Sequence, residues 1–213
     1  MIKAVLFDID GVLMDSFEAN LRYFQDIFAR GGYPRPTKKA YRGVFHKTFA
    51  EILEHFAQSE LEEELERLHE IGAAEPYPMH LLKAPRGAQE TIRSLAKDYK
   101  LGIVSNRRQV GIERYFTFAK TKQYFTVVIG CDASQNHKPH PEPLLLAAKR
   151  LRVKAYECVY VGDSKTDIEA GIAAGMKTLL FGLPAQAGRK KNTEADITTA
   201  SFKKLPECIS QLG

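Results

Sequence analysis

Four polar segments of this sequence carry side chains that could do chemistry together. Two of them bring carboxylates, one brings a hydroxyl beside an amide, and one brings a lysine. Three of the four directly follow short apolar runs. In chain order the candidates are Asp8, Asp10, Ser105, Asn106, Lys138, Asp163 and Asp167.

The carboxylates decide which chemistry this set favours. Carboxylates gathered in one place repel one another unless a cation or raised pKa values relieve the repulsion. Oxygen ligands without Cys or His suit Mg²⁺. An aspartate can attack phosphorus, a second carboxylate can transfer protons, and a lysine can neutralise a phosphoryl group. The residue types therefore predict phosphoryl transfer assisted by Mg²⁺.

Five of these candidates also have a purely structural interpretation. Asp8 and Asp10 could be turn or helix-cap residues, and Ser105 could cap a helix that starts near residue 107. Lys138 could be a surface lysine. Asp167 could cap its own helix or form an ion pair within it.

The elements that must position these residues alternate between strand and helix. Parallel strands place their polar carboxyl ends at one edge of a sheet, so this alternation predicts an α/β fold with a doubly wound, Rossmann-like parallel sheet. The predicted strands are 4–7, 101–105, 126–129, 159–161 and 178–181. The predicted helices are a segment that follows Pro85 and ends at about Asp98, and the segments 107–119, 141–152, 165–175 and 201–211.

The stretch after the first strand differs from the rest of the chain. Residues 17–31 show a helical pattern, residues 37–83 contain no strand-like run, and residues 61–71 have helical apolar spacing with acidic residues between. We therefore expect a catalytic core formed by 1–15 and 83–213, with an inserted helical domain at 16–82.

Composition and charge exclude several classes of protein. The net charge is +5, but the basic residues are scattered apart from short clusters such as Lys38-Lys39 and Arg189-Lys190-Lys191, so no nucleic-acid partner is expected. The three cysteines lack the spacing of a disulfide framework or zinc site, which favours reduced thiols and a cytoplasmic location. We expect neither a signal peptide nor a membrane span.

Four motifs of the chain resemble those of the haloacid-dehalogenase-like superfamily. They are FDIDGVLMDS, IVSNR, the lysine of HKPHPEP, and VGDSKTDIEAGIAAGM, in that order along nearly the whole chain. One Asp-x-Asp alone would be a weak signal, but four motifs in order are a strong one. The subgroup most similar is that of phosphoglycolate-phosphatase-like and β-phosphoglucomutase-like enzymes with a helical cap after the first motif.

The resemblance implies a role for each catalytic candidate. Asp8 would be the nucleophile and Asp10 the general acid and base. Ser105, together with Asn106, would hold the oxygens of the transferred phosphoryl group. Lys138 would neutralise charge between the nucleophile and that group.

The resemblance also implies the metal site. Asp8, the backbone carbonyl of Asp10 and Asp163 would hold Mg²⁺, while Asp167 would support the site from behind the direct ligands. The cap would exclude water during the first step.

A basic stretch in the insertion is the candidate for substrate selection. Residues 38–47 contain four Lys or Arg and no acid, and Gly43 resembles the position where related caps turn a substrate-selecting loop. Arg42, His46 and Lys47 would then bind the distal part of the substrate. The alternative interpretation is a solvated helix face.

The resemblance predicts hydrolysis of a small phosphorylated metabolite by a monomer or homodimer. A phosphomutase of β-phosphoglucomutase type would use the same four motifs, and a pyrophosphatase of the same subgroup remains open. Dehalogenation is disfavoured because that reaction does not need the acid/base that Asp10 offers. Phosphonatase chemistry is disfavoured because the insertion has no clear Schiff-base lysine motif.

Overall fold

One parallel sheet contains all the strands of the chain as far as the structure describes it. The computed structural model describes residues 1–59, 61–182 and 194–213. The sheet has six strands in the order β3-β2-β1-β4-β5-β6, and every neighbouring pair is parallel. The strands are β1 (Ala4–Phe7), β2 (Lys100–Val104), β3 (Val127–Ile129), β4 (Cys158–Gly162), β5 (Lys177–Phe181) and β6 (Ile197–Thr199).

Nine α-helices and several short 3₁₀ turns accompany the sheet within the described residues. The helices are α1 (Phe17–Arg30), α2 (Lys38–Val44), α3 (Phe49–Ala57), α4 (Glu62–Ala74), α5 (Ala88–Leu95), α6 (Gln109–Ala119), α7 (Glu142–Leu151), α8 (Lys165–Ala173) and α9 (Leu205–Ser210). The predicted doubly wound α/β fold is confirmed.

The middle of the sheet contains the switch point at which such folds bind ligands. The first strand, β1, lies between β2 and β4, and its last residue Phe7 pairs with Ile103 on one side and Val161 on the other. The chain runs outward from β1 to β3, then returns to start β4 on the other side. Ligands of open α/β sheets bind beyond the carboxyl ends of the strands at this reversal.

The burial of the central strands explains why their sequences consist almost entirely of apolar residues. All four residues of β1 and all five of β4 are buried, because helices cover a parallel sheet on both faces. On one face α7 and α8 pack on the sheet through a cluster of apolar residues that includes Leu6, Val104 and Leu144.

The structure corrects the sequence prediction in two places near the end of the chain. The sequence predicted five strands and missed β6, whose three residues Ile-Thr-Thr are too short and too exposed to form an apolar run. The predicted helix at 201–211 is a 3₁₀ turn at Phe202–Lys204 followed by α9. Pro206 lies in the first turn of α9, where its missing N–H costs no hydrogen bond.

The chain forms two compact units. The sheet unit contains Met1–Asp15 and Ala84–Gly213, and the helical unit contains Ser16–Lys83. The sequence divides the chain at 15/16 and 82/83. The functions that the sequence assigns to the two parts stay predictions.

The helical unit has its own aromatic core. Tyr23 and Phe24 of α1 pack near the ring of Phe49 in α3. Close approach between the helices requires small residues, since a Cβ at Gly72 would come within 2.7 Å of the Phe49 ring. Aromatic rings that pack against one another and against glycine therefore hold the helical unit together.

Two further features of the sequence concern its basic clusters and its apolar helices. The basic cluster at Arg189-Lys190-Lys191 lies outside the described residues. Within the described ranges, no helix has both the length and the apolar character that crossing a bilayer requires.

Candidate active site

Asp8 lies at the switch point of the sheet. Its backbone N–H donates to the carbonyl of Val161 at 2.9 Å, so the ladder between β1 and β4 continues to this residue. One carboxylate oxygen accepts the N–H of Ile9 at 2.7 Å. Asp8 is buried, with 7% of its surface exposed.

A tight turn after Asp8 places Asp10. Gly11 has φ of 79°, a left-handed conformation that favours glycine, and its N–H donates to the carbonyl of Met14 at 2.8 Å. Ile9 and Val12 are fully buried and anchor the turn. The turn therefore fixes the backbone position of Asp10, from which its side chain extends.

Arg107 holds the carboxylate of Asp10 through two hydrogen bonds. Its Nε donates to Oδ2 at 2.6 Å and its Nη2 to Oδ1 at 2.7 Å. The side chains are only 11% and 17% exposed, respectively. Two parallel N–H···O bonds fix both the position and the plane of a carboxylate.

Lys138 lies among the carboxylates rather than on the surface. Its Nζ is 3.1 Å from Asp8 Oδ2 and 2.7 Å from Asp167 Oδ1, and only 3% of the side chain is exposed. Burial alone would lower the pKa of Lys138, but the charges of Asp167 and Asp8 outweigh burial and raise it. The surface-lysine interpretation is wrong, and Lys138 is a buried cation.

Burial has the opposite consequence for Asp8. Removal from water raises the pKa of the Asp8 carboxyl to about 7, with the charges of Asp167 and Asp10 adding to the effect and Lys138 opposing it. A nucleophilic carboxylate must be ionised, so Asp8 needs cationic partners to work at neutral pH.

The carboxylate of Asp167 is fully engaged by groups of the protein. One oxygen, Oδ2, accepts the backbone N–H groups of Asp163 at 3.1 Å and Ser164 at 3.0 Å, and the hydroxyl of Ser164 at 2.6 Å. The other, Oδ1, accepts from Lys138 and from the hydroxyl of Tyr160 at 3.1 Å. Burial would raise the pKa of Asp167, but Lys138 and these hydrogen bonds lower it. Asp167 thus caps α8 and also supports the buried lysine.

Gly162 explains how Asp167 comes so close to β4. A Cβ at Gly162 would lie 2.2 Å from the Cβ of Asp167, which no real contact allows. The glycine therefore has a steric reason at this position, and a larger residue would push Asp167 away from Lys138.

Three carboxylates form a group that could hold a cation. Asp8, Asp163 and Asp167 each offer an oxygen, and these atoms lie within 4.8 Å of one another. A buried donor set of oxygens alone fits Mg²⁺. The two oxygens of Asp167 accept from five donor groups, whereas those of Asp8 are contacted, among the residues that the structure describes, only by the N–H of Ile9 and by Lys138, so the contacts favour Asp8 and Asp163 over Asp167 as the carboxylate ligands.

Ser105 and Asn106 follow β2 at the same edge of the sheet. The N–H of Ser105 donates to the carbonyl of Ile129 at 3.0 Å, and its hydroxyl accepts the N–H of Arg107 at 3.4 Å. The helix cap that the structural interpretation assigned to Ser105 is wrong, because the N-cap of α6 is Arg108. Asn106 is half-buried.

The three predicted substrate-binding residues lie in the helical unit. Arg42 is on the exposed face of α2, with its guanidinium carbon 5.2 Å from the centre of the Phe17 ring. His46 and Lys47 are half-buried in the connection between α2 and α3. Their role toward substrate stays a prediction.

Two polar residues of the site were missed from the sequence. Arg107 adjoins the Ser105-Asn106 pair, and its carbonyl accepts the N–H of Cys131 at 2.9 Å, which fixes its backbone. Tyr160 is in the middle of β4 and was taken as part of an apolar run. A tyrosine in a fully buried strand is a usable signal, because a buried hydroxyl needs a polar partner.

Comparison with known proteins places these observations in a family. The sequence model of the family described as haloacid dehalogenase-like hydrolase matches residues 5–181. Pyrophosphatase PpaX from Bacillus cereus (strain G9842) is 33% identical over 182 residues, which cover 83% of this chain and 82% of the relative.

Solved structures resemble the fold closely. β-Phosphoglucomutase from Clostridium difficile superposes with a TM-score of 0.83 at 22% identity, covering 100% of this chain and 97% of that one. A predicted phosphoglycolate phosphatase from Haemophilus somnus gives a TM-score of 0.82 at 18% identity, covering 98% of each chain. At these identities the two structures establish the fold alone.

Proposed function

Because this chain belongs to the haloacid dehalogenase-like hydrolase family, we propose that it is a Mg²⁺-dependent phosphatase of small phosphorylated metabolites. The observation that carries the proposal is the placement of the Lys138 ammonium 3.1 Å from the buried carboxylate of Asp8. A cation beside a buried carboxylate favours the ionised form of that carboxylate and attracts an anionic phosphoryl group.

The first step of the reaction is attack by Asp8 on phosphorus. A bond forms between an Asp8 carboxylate oxygen and phosphorus while the bond from phosphorus to the ester oxygen breaks. Asp10 takes part in this step in its protonated form and gives its proton to the leaving oxygen. Ser105 and Asn106 donate hydrogen bonds to the phosphoryl oxygens, and Lys138 neutralises charge beside Asp8.

The second step releases phosphate and restores the enzyme. A water molecule attacks the phosphorus of the aspartyl phosphate, and the bond from phosphorus to the Asp8 oxygen breaks. Asp10, now a carboxylate, takes the proton from that water. The products are an alcohol and inorganic phosphate.

The carboxylates of Asp8 and Asp163 and the backbone carbonyl of Asp10 are the proposed ligands of Mg²⁺. Bound there, Mg²⁺ would neutralise phosphoryl charge and orient the phosphoryl group toward Asp8. Asp167 holds Lys138 and the start of α8 instead of binding the ion.

A pyrophosphatase is the second candidate. The relative at 33% identity is named a pyrophosphatase, and the same steps would cleave pyrophosphate with phosphate as the leaving group. The two candidate functions differ only in the leaving group, which is an alcohol in one and phosphate in the other. Turnover measurements on both kinds of substrate must therefore distinguish them.

Turnover of a substrate panel by the wild-type protein and Asp8→Asn tests the proposal. With Mg²⁺, we expect inorganic phosphate from at least one small phosphomonoester, such as phosphoglycolate, and none from Asp8→Asn, because the amide is a poor nucleophile. Faster release from pyrophosphate would favour the second candidate. An isomerised sugar phosphate without phosphate release would indicate a mutase. Retention of more than a few per cent of activity by Asp8→Asn would remove Asp8 from its role.

A further inference from the structure

Tyr160 is a buried residue of the sheet unit whose hydroxyl contacts the candidate site, yet neither the motifs nor the proposed mechanism gives it a role. It occupies the middle of β4, where it pairs with Leu6 of β1 and Thr178 of β5, and it is fully buried. A phenylalanine would fill the same space among apolar neighbours. The feature that needs a reason is therefore the hydroxyl.

The hydroxyl of Tyr160 lies at a junction of three polar atoms. It accepts from Lys138 Nζ at 2.8 Å, and the carbonyl of Val104 at 3.0 Å and Asp167 Oδ1 at 3.1 Å are both within reach of its single O–H. Val104 ends β2, immediately before Ser105. The hydroxyl thus connects the ends of two strands with the buried lysine.

The ammonium of Lys138 has three N–H donors, and the site offers an acceptor for each. They are Asp167 Oδ1 at 2.7 Å, the Tyr160 hydroxyl at 2.8 Å and Asp8 Oδ2 at 3.1 Å. An ammonium rotates freely about its terminal bond, so its direction is set only by its acceptors. Without the Tyr160 hydroxyl, one donor would lose its partner and the ammonium could shift toward Asp167 or the Val104 carbonyl, which is 3.5 Å away.

We propose that Tyr160 is a positioning residue whose hydroxyl fixes the Lys138 ammonium between Asp8 and Asp167. The inference rests on the proposed function, since it assigns how the site keeps its cation beside the nucleophile. Tyr160 touches neither substrate nor Mg²⁺ in this role and acts only through Lys138.

Tyr160→Phe removes the hydroxyl and keeps the ring, and Tyr115→Phe is the matched control. Tyr115 lies in α6 of the same unit, is equally buried, and shares one hydrogen bond with the hydroxyl of Thr121 at 3.1 Å. Both substitutions delete one buried, hydrogen-bonded hydroxyl. We expect kcat to fall by about ten- to hundredfold in Tyr160→Phe, because small displacements of a catalytic group are costly, and to stay near wild type in Tyr115→Phe. KM should change little in either.

A double-mutant cycle tests whether the effect passes through Lys138. Lys138→Met keeps most of the side-chain volume without the charge. Orthovanadate affinity, measured by calorimetry with Mg²⁺, is the readout, because it does not require turnover. We expect Tyr160→Phe to weaken vanadate binding in the wild-type background and to have little further effect beside Lys138→Met.

The outcomes separate the two proposals. Equal kcat and vanadate affinity in Tyr160→Phe and Tyr115→Phe would overturn the role of Tyr160 and leave the proposed function standing. Equal losses from Tyr160→Phe in both backgrounds would also overturn it, because the hydroxyl would then act independently of Lys138. A wild-type protein that binds vanadate without hydrolysing phosphoesters would contradict the phosphatase, while the cycle would still decide on Tyr160. A wild-type protein that does neither would overturn both.

Discussion

At the scale of single residues, the site consists of charges that constrain one another. Asp10 is held at two points by Arg107, Asp8 faces Lys138, and Lys138 also faces Asp167. Asp8, Asp10 and Asp167 therefore each have a cationic neighbour from another segment of the chain. The cost of burying these charges is offset only while the pairs are complete.

The ion pair between Arg107 and Asp10 leads to a prediction about the acid/base. Arg107→Gln removes the two-point restraint on Asp10, and we expect kcat to fall on the order of tenfold, since a misplaced proton donor is inefficient. Arg107→Lys keeps a charge but not the fork and should be intermediate. The neighbouring exposed Arg108, substituted as Arg108→Gln, is the control and should stay near wild type. Turnover of Arg107→Gln at or above the wild-type rate would contradict this prediction. It would mean that the ion pair with Arg107 does not place Asp10 for proton transfer.

The raised pKa of Asp8 leads to a prediction about stability. Its pKa rises from 3.8 to about 7 on burial, so between these values the folded protein keeps a proton that the unfolded chain has released. Folding is then favoured at low pH, and this contribution is lost as the pH rises through about 7. Without metal, the free energy of unfolding should therefore fall with rising pH, by at most about 1.4 kcal/mol per pH unit.

Urea unfolding in EDTA at a series of pH values checks this slope. The lowered pKa of Asp167 acts only below its unfolded value of 3.8, so it does not contribute in this window. Asp8→Asn cannot titrate and should lose the slope. Parallel curves for the wild-type and Asp8→Asn proteins would show that another group is responsible.

At the scale of elements, the basic stretch of the helical unit combines a short helix with a connection. Lys38 and Arg42 both lie over the Phe17 ring, and Lys38 also pairs with Glu18. A Cβ at Gly43 would meet nothing within 4 Å, and Gly43 is not in a left-handed conformation. Packing within the helical unit therefore gives no reason for a glycine in α2, where it weakens the helix.

Alanine substitutions in this stretch test whether it selects the substrate. Arg42→Ala, His46→Ala and Lys47→Ala should each be measured on the best natural substrate and on p-nitrophenyl phosphate. Losing a charged hydrogen bond to a distal anionic group should cost about tenfold to a hundredfold in kcat/KM on the former. The generic ester has no such group and should show little change. Wild-type efficiency of all three variants on both substrates would identify the stretch as a solvated surface.

At the scale of the whole molecule, the sheet gathers residues that are far apart in the chain. Arg107 and Asp10 are separated by 97 residues, and Lys138 and Asp167 by 29. The carboxylates of Asp8 and Asp163 meet only because β1 and β4 are neighbours. The proposed metal site therefore depends on the pairing of β1 with β4.

Metal dependence is the prediction that belongs to this scale. We expect activity with Mg²⁺, its loss in EDTA, and inhibition by Ca²⁺, which accepts more ligands and looser geometry and would misplace the Asp8 oxygen. Asp163→Asn should raise the Mg²⁺ concentration that gives half-maximal rate. Equal rates in EDTA and in Mg²⁺ would remove the metal from the mechanism. An unchanged Mg²⁺ requirement in Asp163→Asn would show that Asp163 is not a ligand of the metal.

The sequence by itself determined the fold class and the candidates that follow the strands. Buried parallel strands must be apolar and must end at one edge, so Asp8, Ser105 and Asp163 could be assigned to that edge from position alone. The strand β6 was missed because it is short and half exposed, and therefore carries no apolar signal.

Only the tertiary structure decided which groups touch. Tyr160 has no local pattern that marks it, and Arg107 ends the IVSNR motif without a pattern that reveals its partner, because their partners lie 22 and 97 residues away in the chain, respectively. The same holds for Asp167, whose helix-capping role is local and readable but whose contact with Lys138 depends on the close approach at Gly162. Periodicity reports burial within one element, whereas charge pairing between elements is fixed by the packing of the sheet.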